Sequence, residues 1–133
     1  MDSDGVARTA SGGCLCAGVR FEIAGPLRDV FFCHCSRCRR THGHFAAYSS
    51  CAAADVVFLE DRSLRWFTVE TTRRGFCDTC GASVFWQREN SDRISVSAGT
   101  LDAPTGLKPG RHVFLEDAGD YYDAAMFAAP STS

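Results

Sequence analysis

Arg74-Gly75-Phe76-Cys77-Asp78-Thr79-Cys80-Gly81 is the stretch on which the reading of the fold turns. Two thiols separated by two residues reach one metal ion across a tight turn. The glycine behind the second permits the positive φ that such a turn needs, and nearby backbone N–H groups can hydrogen-bond the thiolates. That is half of a structural zinc site, which takes four ligands. Upstream lie two more clusters, Cys14-Leu15-Cys16 and Cys33-His34-Cys35-Ser36-Arg37-Cys38, while Cys51 stands alone.

The spacing admits two ways of completing the site. Pairing Cys14 and Cys16 with Cys77 and Cys80 gives an all-thiolate site that closes a loop of about 64 residues, a constraint worth roughly 4 kcal/mol for a covalent bridge. A metal adds its ligation energy to a comparable constraint. Cys33, Cys35 and Cys38 are then left as three ligands with a fourth position open, the arrangement of a catalytic zinc. In the other pairing, Cys33, Cys35 and Cys38 share the Cys77/Cys80 knuckle. Cys51 reads as a small buried hydrophobe.

The chain has 133 residues, of which 45% are hydrophobic and 23% charged, so it reads as one globular domain and not as a disordered chain. A chain of this size buries roughly two-thirds of its unfolded surface, so its core does not depend on disulfides. The formal charge of −2 gives no general attraction to phosphate backbones, and a nucleic-acid partner is not expected. Met1-Asp2-Ser3-Asp4-Gly5 lacks the basic and apolar regions of a signal peptide. The longest uncharged run, Thr41 to Ala54, is too short for a bilayer. The expectation is a cytoplasmic protein with no membrane partner, in which reduced cysteines serve as metal ligands or catalysts.

Short segments with period-two alternation run through the chain. Val19, Phe21 and Ile23 share a face; Val30 to Phe32, Val56 to Leu59, Leu64 to Val69, Ser83 to Trp86, Ile94 to Ala98 and His112 to Glu116 read the same way. Gly25-Pro26, Glu89-Asn90 and Pro109-Gly110 are among the breaks between them. Seven short strands predict a mainly β fold. One helix of a turn or two is expected from Ser36 to about Thr41, with Ser36 as N-cap. Residues 1–11 read as a flexible lead-in, 12–123 as a single domain and 124–133 as a loose tail.

In order and spacing, the three cysteine clusters resemble the glutathione-dependent formaldehyde-activating enzyme family, also called the centromere protein V/GFA domain family. Ser97-Ala98-Gly99-Thr100-Leu101-Asp102 and Arg111-His112-Val113-Phe114-Leu115-Glu116-Asp117 look similar too. The resemblance covers about residues 12–123. It implies an Mss4-like fold of small antiparallel sheets built around a structural zinc on Cys14, Cys16, Cys77 and Cys80. It implies a second zinc on Cys33, Cys35 and Cys38, and a carbon–sulfur lyase that joins or splits glutathione, or a similar thiol, and formaldehyde.

A zinc ion held by three thiolates carries one net negative charge, and a bound substrate thiolate adds another. Arg37, Arg39 and Arg40 are the expected offset, and they would draw in an acidic thiol. The alkoxide formed when the thiolate attacks an aldehyde needs a proton from His42, His44 or water. The expected catalytic set is therefore Cys33, Cys35, Cys38 and His44. His34 alternates with two ligands, so its ring should point away from the metal; His112 reads as a hydrogen-bonded structural residue. The partners are small thiols and aldehydes, the protein being a monomer or a homodimer. A non-catalytic, zinc-stabilised interaction module and a thiol redox protein are the competing readings.

Overall fold

The computed structural model describes residues 10–127, which carry ten strands and one α-helix. In chain order these are β1 (Ala10–Gly13), β2 (Arg20–Ile23), β3 (Val30–Cys33), α1 (Ser36–His42) and β4 (Ala46–Ala52). There follow β5 (Val56–Glu60), β6 (Leu64–Val69), β7 (Thr72–Cys77), β8 (Ser83–Arg88), β9 (Arg93–Ser97) and β10 (Pro109–Val113). A three-stranded sheet runs β1-β2-β5, and a seven-stranded sheet runs β10-β3-β4-β9-β8-β7-β6. The protein is mainly β, and its two sheets and cysteine clusters are consistent with the Mss4-like fold. No helix among the described residues is long and apolar enough to cross a membrane.

Side chains alternate between the faces of a strand, so each face of the large sheet can be read off the register. Phe85, Val96 and Cys51 lie on the face that is buried, and Phe21 of β2 meets Phe85 at 5.1 Å between ring centroids. Phe21 and Ile23 of β2, with Val19 just before it, complete this core. Gly75 lets Trp66 and Phe85 close in: a Cβ on it would lie 3.0 Å from Trp66 Cζ3 and 3.2 Å from Phe85 Cβ, so those side chains would have to give by a few tenths of an ångström. The opposite face carries Thr72 and Arg74 of β7 beside Arg88 and Trp86 of β8, which are their cross-strand partners. Trp86 adjoins Ser95, and Tyr48 adjoins Phe31. That face is the floor of the cavity described below.

Several details depart from the sequence expectation. Strands β1, β4 and β7 were not predicted. The β4 sequence Ala46-Ala47-Tyr48-Ser49-Ser50-Cys51-Ala52 has no apolar alternation: it is an interior strand of the sheet, buried at five of its seven positions, and every residue but Tyr48 is small. One strand pair, β10 with β3, is parallel where antiparallel sheets were expected. The long connection after β9 lets β10 return alongside β3 in the same direction. Pro109 and Gly110, read as a break, open β10; the chain instead turns at Phe114, whose φ is 58°. The helix is capped by Cys35 and not by Ser36: the Cys35 sulfur accepts the Cys38 N–H, and Gly43 closes the other end. Four 3-10 turns accompany it, at Ala53–Asp55, Ala98–Thr100, Leu115–Asp117 and Ala124–Phe127.

Ala10 and Ser11, expected in the lead-in, pair with Ile23 and Glu22 in β1. Phe127, expected in the tail, stacks on His112 at 4.4 Å. Residues 1–9 and 128–133 lie outside the described residues, and Ala124–Phe127 form a 3-10 turn.

Candidate metal centres

Two hairpin tips bring the first set of cysteines together. Cys14 and Cys16 lie in the turn between β1 and β2; Cys77 ends β7 and Cys80 lies in the turn between β7 and β8. Buried Ser63 ties the tips to each other: its N–H donates to Gly18 O at 3.2 Å, and its carbonyl accepts the Asp78 N–H at 2.8 Å. The four sulfurs lie within 4.8 Å of one another, with Cys14–Cys16 at 3.7 Å and Cys16–Cys77 at 3.6 Å. Tetrahedral zinc with ordinary Zn–S bonds separates its sulfurs by about 3.8 Å, so this donor set fits that ion. Val19 N–H points at Cys14 Sγ at 3.2 Å, and the N–H groups of Thr79 and Cys80 point at Cys77 Sγ at 3.4 and 3.3 Å. Gly81 has φ 80°, the conformation its place behind the knuckle predicts.

The second set is local in sequence. Cys33 ends β3, Cys35 caps α1 and Cys38 lies in its first turn. Their sulfurs also fall within 4.8 Å of one another, and no fourth Cys, His or acidic residue joins them among the described residues. The structure thus divides the seven cysteines as four and three. All eight cysteines are free thiols, and Cys51 is buried in the core, where burial pushes its thiol up to about 11.

All three thiols of the second set line a cavity of about 300 Å³. Phe31, Tyr48 and Trp86 form its aromatic surfaces; Arg28, Arg37, Arg74 and Arg88 bring positive charge, and no carboxylate lines it among the described residues. The Arg74 guanidinium reaches Cys38 Sγ at 3.7 Å and donates to the Tyr48 hydroxyl at 3.2 Å. Tyr48 also meets His42 Nε2 at 2.9 Å. A hydrogen bond from the Cys33 thiol, helped by Arg74, draws the Cys38 thiol down to about 6 against its burial. Burial pushes the Tyr48 hydroxyl up and holds His42 below its ordinary value, so Tyr48 stays protonated and His42 neutral at pH 7.

Of the arginines expected from sequence, Arg37 lines the cavity and pairs with Glu70. Arg39 and Arg40 are not among the lining residues; the buried Arg39 Nε has no hydrogen-bond partner among the described residues. His44 does not line the cavity either. Its Nδ1 meets the Tyr121 hydroxyl at 2.8 Å and its ring packs on Phe45. Sequence reading missed Arg28, Arg74 and Arg88; Tyr48 and Trp86, which read from sequence as core aromatics able to wall a pocket, do line it. Arg74 stood in the quoted knuckle stretch, three residues before Cys77, and strand alternation from that cysteine would have put the two on opposite faces.

The fold and site together define a small two-sheet β domain whose four-cysteine and three-cysteine groups could each hold a metal ion. The sequence profile of the family described as glutathione-dependent formaldehyde-activating enzyme matches residues 9–117, and the chain belongs to that family. Among solved structures it is similar to a Rhodobacter sphaeroides protein at 28% identity and a TM-score of 0.59, over 74% of this chain and 97% of that one.

Proposed function

We propose that this protein is a zinc-dependent carbon–sulfur lyase that joins or splits an acidic thiol and a small aldehyde such as formaldehyde, in a reducing compartment where its cysteines stay free. The observation that carries this reading is the placement of Cys33, Cys35 and Cys38 on the wall of a cavity lined by four arginines and no carboxylate. A zinc ion on those sulfurs would supply a coordination position at which a substrate thiol ionises at neutral pH.

The residues of the chain do the rest. Arg28 and Arg88 line the cavity and pair with no carboxylate among the described residues; Arg28 is anchored by its Nε and Nη2 to the Asp29 and Tyr48 carbonyls, at 3.1 and 2.9 Å, which leaves its Nη1 to a substrate carboxylate beside Arg88. Arg74 is already engaged by Cys38 and Tyr48 and offsets the accumulated negative charge of the thiolates. Phe31, with Arg28 3.9 Å above its ring, and Trp86 give the apolar surfaces that exclude water from the aldehyde. In the forward step the sulfur lone pair attacks the aldehyde carbon, a C–S bond forms, and the C=O π pair moves to oxygen. Tyr48 hands its hydroxyl proton to that oxygen and is reloaded through His42, which balances the proton the thiol released. His44 is placed away from this path.

The test is formaldehyde–hemithioacetal exchange followed by NMR, with glutathione and 2-mercaptoethanol compared. Exchange above the uncatalysed rate, larger for glutathione, is expected. No acceleration with any thiol would overturn the enzyme reading in favour of the interaction module.

A further inference from the structure

His34 lies between two members of the three-cysteine set, yet its ring is fully buried and makes no contribution to the cavity. Both of its nitrogens are engaged. Nδ1 meets the Tyr122 hydroxyl at 2.6 Å, and Nε2 meets His112 Nδ1 at 2.9 Å. The backbone N–H of His34 donates to Val113 O at 3.0 Å. His112 is itself sandwiched, near-parallel to Phe32 at 4.6 Å and to Phe127 at 4.4 Å. Two of these partners, Tyr122 and Phe127, lie beyond the stretch that the family profile matches, which ends at residue 117.

The chemistry of this arrangement is positional. A neutral imidazole has one donor and one acceptor nitrogen, and here each has a single partner at hydrogen-bond distance, so the ring cannot turn without losing a bond. Side chains alternate along an extended chain, so a ring pinned on one side fixes Cys33 and Cys35 on the other. Ligands already held in place lose less freedom when an ion arrives. A group hydrogen-bonded to a metal ligand changes metal affinity by about 10- to 100-fold; Tyr122 and His112 bond His34, the residue between two of the cysteines, so their effect is smaller, on the order of several-fold.

We propose that Tyr122, His112 and Phe127 form a C-terminal clamp on His34 that positions Cys33 and Cys35 and thereby sets the metal affinity of the three-cysteine site. These are positioning residues. The inference rests on the proposed function, in that the three cysteines must hold zinc.

The test uses the full chain loaded with zinc and titrated with a chromophoric chelator, which reads the two sites separately. Tyr122→Phe removes only the hydroxyl, His112→Ala removes the second partner, and His112→Asn returns an amide where Nδ1 stood. The expected result is two ions in the native protein. In Tyr122→Phe and His112→Ala, affinity at the weaker site falls by roughly three- to tenfold while the tighter site is unchanged, and His112→Asn recovers much of the loss. Tyr121→Phe, which loses only a bond to exposed His44, leaves both affinities as they were. Thermal unfolding of the loaded variants accompanies each titration. If folded Tyr122→Phe and His112→Ala release zinc as the native protein does, the clamp is refuted. Equal weakening of both sites also refutes it, since that is the mark of general destabilisation. A native protein holding a single ion refutes the underlying three-cysteine metal site instead.

Discussion

Replacing Cys77 by Ser should destabilise the zinc-loaded protein far more than replacing Cys35 by Ser. The Cys16 and Cys77 sulfurs stand 3.6 Å apart across 61 residues of chain. Loop-closure entropy for a constraint of that length is roughly 4 kcal/mol. With an unfolding entropy near 2.1 cal/mol/K per residue, that corresponds to a Tm lower by roughly 14 °C for a chain of this length. The loss of ligation energy adds to it. Cys33 and Cys38, by contrast, bracket a short stretch that β3 and α1 already hold, and the same formula gives at most about 2 kcal/mol there. Differential scanning calorimetry of both variants and the native protein, each at saturating zinc, measures the difference. A Tm loss for Cys35→Ser equal to or greater than that for Cys77→Ser would refute the division into an architectural and a reactive site.

Three further outcomes follow from the same geometry. Arg28→Gln and Arg88→Gln should each raise the KM for glutathione by about tenfold with kcat held, while the KM for 2-mercaptoethanol stays put, as steady-state kinetics with both thiols would show. Cys51→Ala should cost about 1 kcal/mol in urea unfolding and leave zinc content and activity unchanged, because Cys51 is packed in the core on the face away from the cavity. Burial holds His112 below its ordinary pKa, so the unfolded chain takes up this proton first as pH falls. Its contribution to stability is therefore complete above about pH 6.5 and declines as the solution is acidified below that value. Urea midpoints across that range should fall less steeply for His112→Asn than for the native protein.

The cysteine clusters were legible because candidate metal ligands must lie close together, and close spacing is visible in a sequence. Spacing alone left the pairing of the clusters open, and the meeting of two hairpin tips decides it. Strands with a buried face and an exposed face showed their period of two. β4, an interior strand buried at most positions and rich in Ala and Ser, offered no period to read. The cavity arginines were misplaced for a related reason. Arg37, Arg39 and Arg40 are adjacent to the ligands in sequence, yet a helix turns them in different directions, and only Arg37 faces the cavity. Arg74 and Arg88 arrive from neighbouring strands through cross-strand register, which no local window contains. The positions of His34 and His112 matched their expected structural roles, but the hydrogen bond between them spans 78 residues and needed the fold to be seen.

Zinc X-ray absorption on the fully loaded protein, with elemental analysis on the same sample, addresses the pairing of a closed site with an open one most directly. Two ions per chain with an average of about 3.5 sulfurs each, the remainder being a light-atom ligand, is the predicted result. A single ion per chain, or two ions each surrounded by sulfur alone, would contradict it.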